Sequence, residues 1–533
     1  MKRSRFLANL HWTDILSWLL LAILVVRAGF FLVYSVRTIL FPFPVDYDEG
    51  VALHSALLLV RGEAVYRPLQ AGEFVSSQYT PLYYLLMAPA LWLIGPSLVP
   101  GRLIAFLATL GSGALLAGLA LQLGASRRGA FTAALMPLAV GTTFIWSTLA
   151  KPDTLALFLS LLVLYWVVRF GESRWVYLVT VWFALGFFVK QNAIVVAGPA
   201  LFYYFLRRPR RGLVIGSLAL LLAAGPFFLL NALTDGALYL HTLGFHTLPW
   251  ELTHLWSTLE PLVVFTPGLM LLTLFAAWHQ ARNRAWPALV LLAGGCLFLL
   301  TGGRMGTSWS FQLPLIFAMA LSSSLLLFPR PAQTKPYIIK GFPARWRALL
   351  LILAVLQFAL IPNPLRWYRT DLLASPEREQ ELAAVCEIVR QAPAPILSED
   401  VGLLLLCGKE PRYNDPFMMA QLSRADRWDE TELVRQIEEE QFSLVILAYD
   451  IASFPVEKTE VLRWTTATLA ALRKHYALWQ EAGQVFVYRP QGIAPLLGAD
   501  VGHLWGGVCW APAGTKDPGD NGIHPAKELE ARP

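Results

Sequence analysis

Three carboxylic acids lie within four residues, directly after a long apolar stretch of the chain. They are Asp46, Asp48 and Glu49, in the motif DYDEG. A carboxylate can act as a general base toward a hydroxyl group, and several carboxylates together can bind a divalent cation. An alternative interpretation is a solvated loop start that only helps to orient the apolar segment before it.

Other charged residues also lie at the ends of apolar stretches. KPD supplies Lys151 and Asp153, FFVKQNA supplies Lys190 and Gln191, and TGGRMG supplies Arg304. An ionisable group at membrane depth costs about 2.5–3.5 kcal/mol and usually faces a cavity or a partner. Acids and bases collected at one face suit a reaction that joins an anionic lipid to a nucleophile.

The composition predicts a polytopic α-helical membrane protein. Of the 533 residues, 56% are hydrophobic and 15% are charged, whereas soluble chains carry about 25% charged residues. Apolar stretches of roughly 20 residues recur, and each is long enough to cross a bilayer. The net charge of +7 does not indicate a nucleic-acid partner, because the basic residues form short clusters between apolar stretches, as in cytoplasmic loops.

The positions of these basic clusters predict about eleven transmembrane helices, with residues 130–149 as the third. MKRSR, SRRG, RRPRR and RNR fall on the cytoplasmic side, and the acids fall on the opposite, outer side. Residues 41–101 then form a first outer loop, in which YTPLYYLLMAPALWLIG is too short for a span and is expected to be an interfacial helix. Counting 80–95 as a full span instead would move SRRG outside, against the charge pattern.

Three regions are expected along the chain. Residues 1–363 form the transmembrane part, residues 364–490 a small α/β domain outside the cytosol, and residues 491–533 a tail rich in Gly and Pro. In the second region, helical stretches such as SPEREQELAAVCEIVRQ alternate with apolar strands such as FSLVILAYD. A disulfide between Cys386 and Cys407 is compatible with that compartment.

The order of these motifs resembles a known superfamily. DYDEG follows the first span, YTPLYY precedes an interfacial helix, and Gly-Arg opens the second span. KPD precedes the fourth span, and KQ ends the fifth. In this order the chain, over roughly residues 10–330, resembles the GT-C glycosyltransferases. The nearest groups are the family 39-like enzymes, including protein O-mannosyltransferases and the aminoarabinose transferases that modify lipid A.

The resemblance implies a sugar donor linked to a polyprenyl phosphate and transfer with inversion. It assigns catalytic roles to Asp48, Glu49 and Asp153, with Asp48 as the general base and Asp46 as the alternative base. Glu49 would orient the acceptor or a basic partner. Asp153 would bind the sugar or the acceptor, and the alternative is a helix N-cap for the fourth span.

The substrate-binding candidates are the remaining polar groups on the outer face. They are Asp46, Lys151, Lys190, Gln191, Arg102, Arg304, Tyr79, His54, His241 and His246. A leaving phosphate needs fixed cations, and Lys190, Arg102 and Arg304 are the candidates. Interfacial snorkelling is the alternative for these three, and hydrogen-bonded loop positions are the alternative for the histidines.

The sequence therefore predicts a multi-pass glycosyltransferase of the plasma (inner) membrane that acts on its extracytoplasmic side. Its partners would be the membrane-borne polyprenyl-phosphate sugar and a glycan, glycolipid or protein acceptor. A divalent metal held by the DYDEG acids stays an open alternative. A lipid flippase or exporter and a non-catalytic envelope assembly protein are the competing functions, and the sequence indicates neither sugar, acceptor nor oligomeric state. We expect Asp48 and Asp153 to line one outer cavity with Lys190 or Arg304.

Overall fold

A computed structural model describes residues 12–330, 344–361, 374–452 and 463–492. The basic start MKRSR and the junction predicted between 363 and 364 lie outside the described residues. So does the predicted tail, apart from its first two residues.

The described residues between 12 and 361 are mostly helical, and the longest stretch among them without a helix is 61–81. The helices are α1 (Trp12–Leu40), α2 (Tyr47–Val60), α3 (Leu82–Ile94), α4 (Val99–Gln122), α5 (Arg127–Leu135), α6 (Gly141–Trp146), α7 (Asp153–Phe170), α8 (Leu178–Val189), α9 (Ala193–Arg207), α10 (Pro209–Leu233), α11 (Leu252–Phe265), α12 (Pro267–Arg282), α13 (Trp286–Leu300), α14 (Leu313–Leu327) and α15 (Ala344–Leu360). Shorter helical turns join several of them, including Ala237–Tyr239 and Leu240–Gly244.

Six helices in the described residues are long and apolar enough to cross a membrane. They are α1, α4, α7, α10 and the extended segments Trp286–Gly303 and Trp309–Leu327. A seventh span results if α11 and α12, which meet at an angle of 94°, are taken as one broken span. These helices define a multi-pass membrane protein, while the count of about eleven stays a prediction.

Of two segments predicted to be helical, one is interrupted in the structure and the other is continuous. The segment expected as a third span, 130–149, is broken in the structure: α5 ends at Leu135, a short turn follows at Pro137–Ala139, and α6 begins at Gly141. Pro137 has no N–H for the helical ladder, which explains the break. The short helix expected in the first outer loop is present as α3, with 13 residues.

The basic turn SRRG and the acidic motif lie at opposite ends of the helices. Near the start of α1, Asp14 accepts a hydrogen bond of 2.6 Å from Arg128, which lies just beyond α4. Near the end of α1, the carbonyl of Thr38 accepts one of 2.7 Å from Arg102, in the first turn of α4. The helices α1 and α4 are therefore antiparallel, and the charge asymmetry expected from the sequence is built into the fold.

The C-terminal region, defined as the described residues from 374 onward, combines helices with a four-stranded sheet. Its elements are α16 (Pro376–Gln391), β1 (Ile396–Ser398), α17 (Val401–Leu406), α18 (Pro416–Arg424), α19 (Thr431–Glu438), β2 (Leu444–Leu447), α20 (Thr466–His475), β3 (Tyr476–Ala482) and β4 (Val485–Pro490). The strand order is β1-β2-β4-β3, parallel between β1 and β2 and antiparallel elsewhere. The predicted helix SPEREQELAAVCEIVRQ contains α16, and the predicted strand FSLVILAYD contains β2.

The C-terminal region packs directly against the helix that carries the acids. Phe41 and Phe43 share a hydrophobic cluster with residues of α16, α17 and the sheet, and a disulfide joins Cys386 to Cys407. A Cβ added to Gly50 in α2 would lie 2.2 Å from the backbone nitrogen of Gly402 in α17. Only glycine allows this approach, so α2 is held between the membrane helices and α17.

Candidate active site

The acidic motif forms the N-terminal turn of α2. Asp46 is the N-cap, and its side chain accepts a hydrogen bond of 3.2 Å from the backbone N–H of Asp48. The Glu49 side chain accepts from the N–H groups of Val45 and Asp46, which completes a capping box. The spacing D-x-x-E before an apolar run thus sets where the helix begins, and the helix sets where each acid points.

Glu49 points inward and pairs with Arg102. The two side chains form a bidentate ion pair with both distances at 2.8 Å, and both side chains are fully buried. Arg102 also donates to three backbone carbonyls at the end of α1, those of Thr38, Phe41 and Phe43. All five guanidinium N–H groups are thereby used.

This closed pair changes how two predicted site residues are interpreted. Burial by itself raises the pKa of Glu49, but Arg102 and the N–H groups of Ala150 and Val45 outweigh burial and hold that pKa below its usual value. Glu49 therefore stays a carboxylate whose oxygens are occupied. In this arrangement Arg102, expected as a phosphate ligand, has no N–H left for a phosphate.

Asp46 and Asp48 point to the other side, where both contact Lys151. The ammonium lies 3.1 Å from Asp46 Oδ1 and 2.5 Å from Asp48 Oδ2, and 4.7 Å from the ring centre of Trp146. The side chain of Lys151 is 4% exposed, whereas those of Asp46 and Asp48 are 27% and 29% exposed. Within the described parts of the chain, the second carboxylate oxygen of Asp48 accepts no hydrogen bond.

The charges of this cluster support one another. Burial opposes the charge on Lys151, but Asp46 and Asp48 overcome burial and raise the pKa of Lys151 above its usual value. Burial raises the pKa of Asp46, although Lys151 opposes that shift. Lys151 therefore stays protonated, and its ammonium holds the carboxylates of Asp46 and Asp48 in place.

A second ion pair joins Asp153 to Lys190. Asp153 is the first residue of α7, with Pro152 at the N-cap position, and its Oδ1 accepts a 2.8 Å bond from Lys190. The alternative of Asp153 as an N-cap is therefore not what the structure shows. In the described residues Asp153 Oδ2 has no hydrogen-bond partner.

A small cavity of about 10 Å³, enough for one water molecule, lies against this pair. Asp153 and Lys190 line it together with Ser160, Asn192 and Ser310. Asp48 is not among its lining residues. This cavity therefore does not test the expectation that Asp48 and Asp153 line one outer cavity, which stays a prediction; the structure shows Asp48 bonded to Lys151.

Tyr79 lies between the two clusters. Its ring centre is 5.4 Å from the ammonium of Lys190, close enough for a cation–π contact. Burial raises the pKa of Tyr79 well above its usual value, and the carboxylates of Asp48 and Asp153 raise that pKa further. Tyr79 is thus a neutral side chain between the cluster of Asp46, Asp48 and Lys151 and the ion pair of Asp153 with Lys190.

Gln191 and His246 meet at one backbone carbonyl beside Tyr79. Gln191 Nε2 and His246 Nε2 lie 3.1 Å and 3.2 Å from the carbonyl oxygen of Gln78. Burial, helped by Lys190 and Arg304, lowers the pKa of His246 to about 4, although the Gln78 carbonyl and Asp48 raise it. The sequence-predicted residues Gln191 and His246 therefore contact the same carbonyl, next to Lys190, and Arg304 is exposed.

The other two histidines take part in packing. His54 Nδ1 is 2.9 Å from the side-chain nitrogen of Asn414. His241 Nδ1 accepts from the N–H of Ser77, so its Nε2 carries the proton and donates to the carbonyl of Arg67. Burial lowers the pKa of both histidines to about 4. Their hydrogen bonds agree with the alternative of structural, hydrogen-bonded histidines, but His54 lies within α2 and His241 in the helical turn Leu240–Gly244, not in loops.

The acids do not fit a divalent metal in this arrangement. Lys151 lies between Asp46 and Asp48, and Arg102 occupies Glu49. Within the described ranges, no group of three or more His, Cys, Asp or Glu side chains has an arrangement suited to a metal ion.

Sequence reasoning missed a buried acid of the C-terminal region. Asp415 accepts hydrogen bonds from the side chains of Tyr47, Ser76 and Gln78, and Arg463 lies 4.2 Å above the ring of Tyr47. The only local signal is Asp415 before Pro416, which predicts a helix start. Nothing local indicates that this helix start lies beside DYDEG.

Known proteins share this architecture. Residues 78–233 match the family model described as dolichyl-phosphate-mannose-protein mannosyltransferase. The crystal structure of ArnT from Cupriavidus metallidurans bound to undecaprenyl phosphate is similar, with a TM-score of 0.57 and 14% identity over 87% of this chain and 97% of that chain. Archaeal oligosaccharyltransferase AglB from Archaeoglobus fulgidus, in complex with an inhibitory peptide and a dolichol-phosphate, is similar with a TM-score of 0.50 and 13% identity. That match covers 90% of this chain and 75% of that chain. No curated protein sequence matches.

Spans, fold and family-model match define the class of protein. The chain is a multi-pass membrane protein with the fold of the GT-C glycosyltransferases. Together with that fold, the match of residues 78–233 to the family model makes this part of the chain similar to the dolichyl-phosphate-mannose-protein mannosyltransferases. The resemblance predicted from the motifs is thereby confirmed.

Proposed function

We propose that this protein transfers a sugar, with inversion, from a polyprenyl-phosphate donor to an acceptor hydroxyl on the extracytoplasmic side of the plasma (inner) membrane. The observation that carries the proposal is the state of Asp48. It is partly exposed, one oxygen is held by Lys151, and its other oxygen accepts no hydrogen bond from the described residues. A carboxylate in this state is positioned to accept a proton.

The chemistry follows from the charges. Asp48 takes the proton of the acceptor hydroxyl as the hydroxyl oxygen forms a bond to the anomeric carbon. The bond from that carbon to the phosphate oxygen breaks, and its electron pair leaves with the phosphate. Because the acceptor attacks from the side opposite the leaving group, the configuration inverts.

The departing phosphate gains negative charge, which fixed cations stabilise. Lys190 and Arg304 both lower the pKa of His246, which supports placing both cations near that histidine. We assign the phosphate to these two cations. Asp153 holds Lys190 through one oxygen, and its buried Oδ2 lies close to Ser310, so a sugar hydroxyl would have to take the place of the one water molecule that the cavity can hold.

Glu49 and Arg102 have a positioning role in this proposal. Their ion pair connects the first turn of α2 to the end of α1 and to the backbone N–H of Ala150, which precedes Lys151. One buried pair thereby places Asp48 and Lys151 opposite each other. Lys151 fixes the direction of Asp48, and Asp46 supports Lys151.

The donor and the side of the membrane are supported by different observations. The ArnT structure contains undecaprenyl phosphate and the AglB structure contains a dolichol-phosphate, so related folds bind polyprenyl-type phosphates. The basic turn SRRG lies at the end of α1 and α4 opposite the acids, and basic loops are typically cytoplasmic. The acceptor class stays open among envelope glycolipid, polysaccharide and protein.

The test is transfer of label from a panel of radiolabelled polyprenyl-phosphate sugars to a membrane or envelope extract. We expect the wild type to label an acceptor with one donor and Asp48→Asn to be slower by about 10²–10⁴-fold. Asp46→Asn, a matched change in the same cluster, should retain more activity. Thermal unfolding in detergent should show Asp48→Asn folded as well as the wild type.

Two results would contradict the proposal. Equal labelling by Asp48→Asn would move the base to Asp46 or Asp153. No transfer from any donor by a folded wild type would favour a lipid flippase or an assembly protein.

A further inference from the structure

Asp415 is a buried acid that the proposed chemistry does not use. Its side chain is fully buried and accepts four hydrogen bonds. The donors are Tyr47 OH at 2.7 Å, Ser76 Oγ at 2.6 Å, Gln78 Nε2 at 2.6 Å and the N–H of Met418 at 3.1 Å. Each carboxylate oxygen accepts two of these bonds. An asparagine at this position has only one acceptor oxygen, because its amide nitrogen is a donor, so it could not accept all four.

Two of these donors belong to opposite halves of the candidate active site. Tyr47 lies between Asp46 and Asp48 in the first turn of α2. Gln78 precedes Tyr79, and the carbonyl of Gln78 receives Gln191 and His246 on the Lys190 side. Asp415 Oδ1 therefore holds the half that carries the base, and Oδ2 holds the half that faces the leaving phosphate.

The surroundings make this connection rigid. The segment before Asp415 pairs with the first outer loop, through Phe74 N–H to the carbonyl of Arg412 and Asn414 N–H to the carbonyl of Phe74. The backbones of Gly50 and Gly402 are in close contact, so α2 cannot move toward α17. A displacement of the Asp415 side chain would therefore also displace Tyr47 or Gln78.

We propose that Asp415 is a positioning residue of the transfer reaction, which makes the C-terminal region part of the catalytic unit. Through Tyr47 and Gln78 it sets the distance between the base Asp48 and the cation Lys190. This inference rests on the proposed function. Its tests therefore include one readout that needs no sugar transfer.

Asn414 provides a matched control. It is fully buried, lies next to Asp415, and bonds to the backbone of Ser76 at 2.7 Å and 3.0 Å and to His54. It makes no hydrogen bond to Tyr47 or Gln78 among the described residues. A purely structural role of this segment predicts the same kinetic effect at both positions, whereas positioning predicts an effect at Asp415 alone.

The kinetic test compares Asp415→Asn with Asn414→Ala. We expect kcat to fall about 10- to 100-fold in Asp415→Asn with KM for the donor nearly unchanged, because a small displacement of a catalytic group has costs of this size. Asn414→Ala should lose thermal stability while kcat stays near the wild-type value. A wild-type kcat in Asp415→Asn, or kcat losses that follow stability in both variants, would overturn the inference.

The second test measures the position of α2 directly. Asp48→Cys is prepared in a chain that also carries Cys296→Ser and Cys509→Ser, and a charged methanethiosulfonate reagent labels the new thiol. The labelling rate should change several-fold when Asp415→Asn is added, and not when Asn414→Ala is added. An unchanged rate would refute the inference even if no donor is ever found, and a changed rate without transfer would leave the proposed function alone at fault.

Tyr47→Phe covers the case in which Asp415→Asn does not fold. It removes one hydroxyl and leaves Asp415 bonded to Ser76, Gln78 and Met418. Both the labelling rate and kcat should change in the same direction as in Asp415→Asn, and combining the two substitutions should add little to either effect. Full additivity would show that the two side chains act separately.

Discussion

Asp48 and Glu49 are adjacent in the chain, yet their carboxylates have opposite surroundings. Glu49 is fully buried, and Arg102 and backbone N–H groups occupy its oxygens. Asp48 is 29% exposed and bonds to Lys151 through one oxygen. The comparison teaches that a carboxylate with every oxygen occupied maintains the structure, whereas one with an unoccupied oxygen can take a proton.

The cations differ in the same way. The five N–H groups of Arg102 are all bonded inside the protein. Among the described residues the ammonium of Lys151 makes two hydrogen bonds, and that of Lys190 makes one, although an ammonium has three donors. The lysines therefore keep donors for a substrate and the arginine does not. The following experiments test this difference between fully bonded and partly bonded side chains.

The largest effect is expected for Glu49→Gln, which leaves Arg102 buried without a countercharge. Breaking a buried ion pair costs about 3–5 kcal/mol, so the free energy of unfolding in detergent should fall by that amount. Asp46→Asn, at the partly exposed end of the motif, should cost much less. A stable but inactive Glu49→Gln protein would place Glu49 in the chemistry and remove the distinction.

A smaller effect is expected when Lys151 is replaced by methionine. Lys151 lowers the pKa of Asp46, so its removal should raise that pKa further above the usual value. More of Asp46 is then protonated at a given pH, so the midpoint of the Asp46 carboxyl titration, followed by infrared spectroscopy, should move to higher pH. Lys151→Arg keeps the charge and should keep that midpoint in place; an identical midpoint in Lys151→Met would show that the ammonium does not act on Asp46.

The pH dependence of stability should report on His54. Its folded pKa is about 4 and its usual value is 6.5, so the unfolded chain binds the proton more tightly. Its contribution is present above pH 6.5 and is lost as the pH falls toward 4, by about 2 kcal/mol between pH 7 and pH 5. His54→Gln should flatten this part of the stability curve, measured by denaturant unfolding at each pH. An equal slope in both proteins would show that other groups cause it.

The smallest effect is expected for Arg304→Gln. Arg304 is exposed, so the change should alter the free energy of unfolding by no more than about 0.5 kcal/mol. If Arg304 contacts the donor phosphate, KM for the donor should rise while kcat changes little. An unchanged KM would assign the phosphate to Lys190 alone.

Local patterns predicted the parts of the site that lie within single segments. DYDEG indicated acids at the end of the first span, and KPD and FFVKQNA placed Asp153 and Lys190 on the same face. The ion pair between the latter two joins residues 37 positions apart that lie at neighbouring helix ends. Topology alone brings such ends together, so their proximity could be expected from the sequence.

The partners of Glu49 and Tyr47 could not be expected in the same way. Arg102 lies 53 positions from Glu49, and Asp415 lies 368 positions from Tyr47. Hydropathy specifies that each segment spans the membrane or packs against it, but it does not specify which turn of one helix faces which turn of another. The broken third segment and the helix α17 against α2 escaped prediction for the same reason.

The sequence by itself determined that this is a multi-pass membrane protein, that its basic turns and its acids lie at opposite ends of the helices, and which residue types the site contains. These properties follow from composition and local spacing. Only the tertiary structure shows which of the two carboxylates has both oxygens hydrogen-bonded and which has one oxygen without a hydrogen bond among the described residues. That outcome depends on packing around the first turn of α2, where a close glycine contact and a saturated arginine hold Glu49 inward and leave Asp48 beside Lys151.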